Sequence, residues 1–274
     1  MKTRLIAAVI FVPLIFIVLF FLPAYVLAGV VSIICAISAY ELLQAILGNQ
    51  NIRTRIYAAI SAAIIPVGSY FEITLIVFPV VFLVLMSLMF FEAISTFGTD
   101  NKITFFQVLT TLFAGALMPL MMSSLINLKL LPGGHLLVLL PFIVAFVTDG
   151  GAYFTGVAMG KRKAFPLVSP KKTIEGCIGG LVAGTLGVVV LGLIVVLSTS
   201  ISVLFWALII YGILGSVFSQ LGDLTFSLIK REFEIKDYGK LIPGHGGMLD
   251  RFDSMIFVAP AIYLLVRLIP AIMV

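Results

Sequence analysis

Long apolar stretches dominate the chain, each closed by proline, glycine or charged residues. They run near residues 4–21, 25–47, 55–69, 72–91, 105–126, 136–159, 174–198, 201–229 and 252–272. A helix crosses about 30 Å of hydrocarbon with roughly 20 apolar residues, so the pattern predicts nine membrane-spanning helices. None of the stretches alternates with the period of two that a transmembrane β-strand needs to keep one face in lipid and the other in a lumen. The predicted fold class is therefore all-α, a polytopic integral membrane helical bundle. No long linker or internal repeat divides it, and residues 1–274 are expected to form a single transmembrane domain. The first stretch follows Met1-Lys2-Thr3-Arg4 in the charge order of a secretory leader. No clear small-x-small cleavage site follows and apolar sequence resumes at once, so a retained first span is expected.

Composition agrees with this pattern. Of the 274 residues 62% are hydrophobic and 11% charged, against about 45–50% and about 25% in soluble domains. A soluble globule is excluded, and nucleic acid is not expected as a partner; the lipid bilayer is. Lysine and arginine near span ends stay on the cytoplasmic side. With a cytoplasmic N-terminus, the cytoplasmic connections carry Arg53 and Arg55, then Lys102, then Lys161 to Lys172, then Lys230 to Arg251. Of the 17 basic residues only Lys129 and Arg267 then fall on the other side. The expected location is the inner (plasma) membrane, with the two charged loops facing the cytoplasm. Part of the net charge of +5 serves attraction to anionic lipid. Cys35 and Cys177 both lie in apolar runs and read as packing residues. The small-residue runs at Gly179-Gly180 and Gly184 suit packing within one chain or between two, which leaves a homodimer open.

Polar residues inside the spans carry the functional information. Asp149 lies about ten residues before the cytoplasmic end of its span, roughly 15 Å deep at about 1.5 Å per residue. A carboxylate there costs about 2.5–3.5 kcal/mol on insertion scales, which makes it a functional candidate facing a wet cavity or a partner. Tyr153, Gly156 and Gly160 continue the same stripe. Ser219, Asp223, Ser227 and Lys230 form a second polar face in the eighth span, for which an internal Asp223–Lys230 ion pair is the structural alternative. Glu41 and Glu92 lie near cytoplasmic span ends, where snorkelling to the interface accounts for them.

Two loops follow these faces. Ser169-Pro170-Lys171-Lys172-Thr173, just before the seventh span, joins hydroxyls and ammonium groups to the free amides of a helix start, a combination that suits a polyphosphate. The segment from Ser227 to Asp253 holds Lys230-Arg231, Lys236-Asp237, Gly239, Pro243-Gly244-His245-Gly246-Gly247, Asp250-Arg251 and Asp253. Its glycines let backbone amides approach a ligand closely, and Arg251 can fork onto phosphate oxygens. Asp250 and Asp253 are expected to meet Asp223, and convergent carboxylates beside basic groups suit Mg²⁺ with a nucleotide polyphosphate. The metal ligands expected are Asp223, Asp250 and Asp253, and a second cation is left open.

The run Ser227-x-x-Lys230-Arg231, four residues, Lys236-Asp237-x-Gly239, then Pro243-x-His245-Gly246-Gly247-x-x-Asp250-Arg251-x-Asp253 resembles the phosphatidate cytidylyltransferases, or CDP-diacylglycerol synthases. Asp149-x-x-Ala152-Tyr153 with Gly156 and Gly160, and Ser169-Pro-Lys-Lys-Thr-x-Glu-Gly176, resemble that family too. The resemblance covers roughly the last 125 residues, so 1–130 would supply N-terminal spans and 131–274 the catalytic region. It implies a reaction of CTP with phosphatidic acid giving CDP-diacylglycerol and pyrophosphate. Asp223, Asp250, Asp253, Lys230, Arg251 and His245 would then serve catalysis. Ser169, Lys171, Lys172, Thr173, Asp149, Lys230 and Arg231 would serve nucleotide and phosphate binding. The rival readings are a CTP-dependent polyprenol or lipid kinase, an isoprenoid ether-lipid cytidylyltransferase and, from another class, an ion-coupled transporter.

Overall fold

The computed structural model describes residues 16–48, 52–241 and 246–273. Eight long helical segments follow a helical stretch at 16–20 that ends the first predicted span. They are α1 (Ala24–Leu47), α2 (Ile52–Tyr70), α3 (Thr74–Ser95), α4 (Phe105–Leu130), α5 (Gly134–Met159), α6 (Ile174–Ser198), α7 (Phe205–Glu232) and α8 (Leu249–Leu268). Six of them, α1 and α3 to α7, are long and apolar enough to cross a membrane, which marks a multi-pass membrane protein. The others, α2 and α8, carry Arg53 and Arg55, and Asp250, Arg251, Asp253 and Arg267.

The chain is not wholly helical. Strands β1 (Lys163–Phe165) and β2 (Ser169–Thr173) pair antiparallel, as do β3 (Ser202–Val203) and β4 (Ile272–Met273). The predicted loop after Gly160 is thus a hairpin that reverses around Pro166. The final helix stops at Leu268, short of the predicted end, because Pro270 offers no amide to continue it.

The chain forms two compact units. The first comprises 1–127 and 233–252, the second 128–232 and 253–274. In the first, Ile65 of α2, Leu85 and Met89 of α3, and Val108, Leu112 and Ala116 of α4 make the core. Thr104 starts α4 with a reciprocal cap: its hydroxyl accepts the Gln107 amide while the Gln107 side chain accepts the Thr104 amide. A π-bulge over Phe113–Leu117 puts Gly115 against the Ala58 backbone and Leu85. Much of α3 faces outward, with Leu75, Ile76, Phe91 and Ile94 exposed as a lipid-facing helix requires.

In the second unit, α5, α6 and α7 approach closely through small residues. Gly180 lies against the Thr148 carbonyl and Ala152, and Gly179 against Thr155. Gly184 lies against the hydroxyls of Thr148 and Ser216, which bond each other at 2.9 Å. These glycines pack within the chain. The Tyr211 hydroxyl donates to the carbonyls of Leu265 and Ile269 and accepts the Ala271 amide, joining α7 to the end of α8 beside the β3–β4 pair.

A Cβ at Gly184 would fall on the Thr148–Ser216 pair, whereas one at Gly150 meets nothing within 4 Å. Overpacking of this kind costs about 1–3 kcal/mol. Gly184→Ala is therefore expected to lower the melting temperature of the detergent-solubilised protein, and Gly150→Ala to leave it unchanged or slightly raise it.

Candidate functional site

The second unit gathers one part of the predicted machinery. Strand β2 projects alternate residues to opposite sides. Thr173 is buried, Lys172 half-buried and Lys171 exposed. Thr173 serves as the N-cap of α6, accepting the Gly176 amide at 3.1 Å, and its side chain packs beside Gly156 and Gly160. Glu175 in the next turn accepts the amides of Lys161 at 3.1 Å and Arg162 at 3.2 Å. Arg231 at the end of α7 donates to the Val168 carbonyl at 3.2 Å. Three unrelated side chains thus hold the hairpin, and the hairpin holds Lys172.

The Lys172 ammonium forms an ion pair with Asp223 of α7. Asp223 thus takes a partner from outside its own helix, which the expected alternative, a pair with Lys230 within α7, did not include. Asp149 of α5 feels the charges of Asp223 and Lys172. Asp253 of α8 feels those of Asp223, Lys230 and Asp149. Three carboxylates and two ammonium groups therefore share one region, with acid in excess. Asp253 is 8% exposed and its carboxylate accepts its neighbour Ser254's amide at 2.7 Å, while Asp149 is exposed. Ser219, one turn before Asp223 and fully buried, has a hydroxyl with no hydrogen-bond partner among the described residues. Tyr153, which shares the Asp149 stripe in the sequence, is 67% exposed. Ser169 is half-buried at the start of β2, and Arg231 is exposed.

The first unit holds the other part. Asp250 Oδ2 accepts the amides of Tyr238 and Gly247, each at 2.9 Å. Gly246 has a φ of +85°, a conformation that disfavours a side chain, and approaches the same carboxylate. Asp250 thus ties the two sides of the glycine-rich segment together. Arg251 is exposed, and His245 lies outside the described residues. Glu41, read from the sequence as snorkelling, is instead 6% exposed and accepts the Leu249 amide at 2.9 Å. Its partner lies 208 residues away in the sequence, so no local pattern could reveal the contact. Glu92 accepts the Tyr57 hydroxyl at 3.2 Å and pairs with Arg53 at 3.7 Å.

Of the three expected metal ligands, Asp223 and Asp253 belong to the second unit and Asp250 to the first. Among the described residues, no three His, Cys, Asp or Glu side chains form a ready-made metal cage. A hard divalent cation still fits the donor chemistry near Asp223: carboxylate oxygens, acid in excess of base and an unpartnered hydroxyl. Mg²⁺ typically takes one or two carboxylates and completes its shell with phosphates and water rather than with an all-protein cage.

The model of the cytidylyltransferase family matches residues 2–269. The chain is 44% identical over 128 residues to the phosphatidate cytidylyltransferase of Staphylococcus saprophyticus and 47% identical over 128 residues to that of Staphylococcus haemolyticus, each alignment covering 47% of this chain and 48% of the relative. It is 46% identical over 126 residues to that of Bacillus subtilis, covering 46% of this chain and 45% of the relative. The chain spans about half the length of the curated relatives it matches.

The Lys172–Asp223 pair has a consequence for stability that is independent of activity. Removing one partner leaves a charge without its counterion, whereas removing both does not. Lys172→Met is expected to lower the melting temperature, and adding Asp223→Asn to recover most of the loss. Additive losses in the double variant would show that the two side chains do not interact.

Proposed function

The chain belongs to the cytidylyltransferase family, and from that premise we propose that it transfers CMP from CTP to phosphatidic acid, giving CDP-diacylglycerol and pyrophosphate. The observation that carries this reading is the excess of carboxylate over cation around Asp223, with Lys172 as a neutralising ammonium on a braced hairpin. A phosphate oxygen of the lipid attacks the α-phosphorus of CTP. The new P–O bond forms as the bond to the β-phosphate bridging oxygen breaks, and pyrophosphate leaves with that oxygen. A phosphomonoester has its second pKa near 6, so the nucleophile is largely ionised at neutral pH and no strong general base is required.

The obstacle is repulsion between two polyanions. Mg²⁺, when bound, supplies the charge that offsets it and stabilises the leaving group. Asp223 and Asp253 would hold the ion, with Asp149 adding charge beside them. Lys172 then exchanges the Asp223 carboxylate for a phosphate oxygen, Lys171 and Lys230 take further phosphate oxygens, and Ser169 and Thr173 orient them. In the first unit, Arg251 and His245 are phosphate contacts in their own right, and Asp250 bonds the amides of Tyr238 and Gly247. The inner leaflet of the plasma membrane supplies the lipid, and these residues work at its cytoplasmic side.

Purified protein incubated with CTP labelled in the α-phosphate, phosphatidic acid and Mg²⁺ is expected to send label into the lipid extract and release pyrophosphate. Release of CDP with no labelled lipid would instead identify a CTP-dependent lipid kinase. Asp223→Asn and Asp253→Asn are each expected to reduce turnover by about 10²-fold or more while the protein still folds. Near-normal turnover in either would remove that residue from the metal site.

A further inference from the structure

The first unit contains a buried carboxylate that the proposed chemistry does not use. Glu41 projects from α1 into the segment between Asp237 and Asp250. Its Oε2 accepts the Leu249 amide at 2.9 Å. That amide is an orphan donor at the start of α8, which every helix must satisfy from outside its own hydrogen-bond ladder. The same carboxylate lies directly over the α-carbons of Gly239 and Gly247: a Cβ at either would collide with it, at 2.6 Å from Cδ. Neither glycine has a positive φ. Their lack of a side chain answers to the space that Glu41 fills.

Two carboxylates therefore hold the segment with a division of labour. Asp250 bonds Tyr238 and Gly247 from within the segment. Glu41 reaches it from a helix some 200 residues earlier, touching both flanks at once. We infer that Glu41 is a positioning residue: its carboxylate sets the separation of Gly239 from Gly247 and orients the first turn of α8, and so places Arg251, assigned above to the CTP phosphates. The catalytic part of this inference rests on the reading under Proposed function. Contact between Glu41 and the segment does not.

Glu41→Gln keeps the size and one acceptor oxygen, whereas Glu41→Ala leaves the Leu249 amide unpaired, a loss that buried groups feel strongly. Hydrogen–deuterium exchange of the full-length protein in detergent is expected to speed up at Leu249 and Gly247 in Glu41→Ala, and less in Glu41→Gln, with the fold otherwise retained. The KM for CTP is expected to rise about tenfold, and the KM for phosphatidic acid to stay within about twofold. Gly247→Ala, which wedges a methyl against the intact carboxylate, is expected to reproduce the CTP effect. In the Glu41→Ala background the same glycine change should add nothing, because the space is then open.

Unchanged exchange at Leu249 in Glu41→Ala overturns the contact. Faster exchange with an unaltered KM for CTP, or additive losses in the double variant, overturns the positioning role. If the unsubstituted protein shows no CTP-dependent turnover, the proposed reaction and Glu41's part in it both fall, and exchange at Leu249 alone then decides the contact.

Discussion

A carboxylate within an apolar helix bundle needs a cation or a set of amide donors beside it, since hydrocarbon offers neither. Both solutions occur in this chain. Asp223 takes an ammonium from the neighbouring hairpin, while Glu41 and Asp250 take backbone amides from a glycine-rich segment. The first solution leaves a charge partner that a phosphate could compete for. The second consumes its donors in holding the backbone still. The acids near Asp223 thus keep a side-chain cation as partner, and those near the glycines hold the backbone.

The surrounding architecture follows from these needs. Lys172 can stand beside Asp223 because Thr173 caps α6, Glu175 gathers the amides of Lys161 and Arg162, and Arg231 bonds Val168. Helices α5, α6 and α7 come close because glycines at 179, 180 and 184 leave room for Thr155, Thr148 and Ser216. Each small residue removes bulk where a polar side chain on the adjacent helix needs space. In a membrane, where helices gain little from hiding apolar surface from one another, such close packing supplies much of the association.

Much of this was legible in the sequence. The apolar stretches located the helices, because a membrane span depends on local composition alone. Asp149 and Asp223 stood out because a charged residue in such a stretch is costly wherever its partner lies. What the sequence did not disclose was pairing across distance. That Asp223 meets Lys172 depends on a hairpin whose strands are short and rich in lysine, with little strand propensity to betray them. Glu41 looked like an ordinary interfacial acid because its partners come near the other end of the chain. In the sequence the glycines at 239 and 247 read as room for backbone amides to approach a ligand, whereas in the structure they make room for that distant side chain.

The hairpin carries a lesson about its two adjacent lysines. Because a strand turns successive side chains to opposite sides, Lys171 and Lys172 share a charge and a neighbourhood yet have different surroundings: one is open, the other faces an acid. A single residue inserted or deleted between Pro166 and Val168 would shift the strand by one place and exchange their orientations. The loop's net charge would be unchanged, but the wrong ammonium would point inward. For this hairpin, length conveys more than composition.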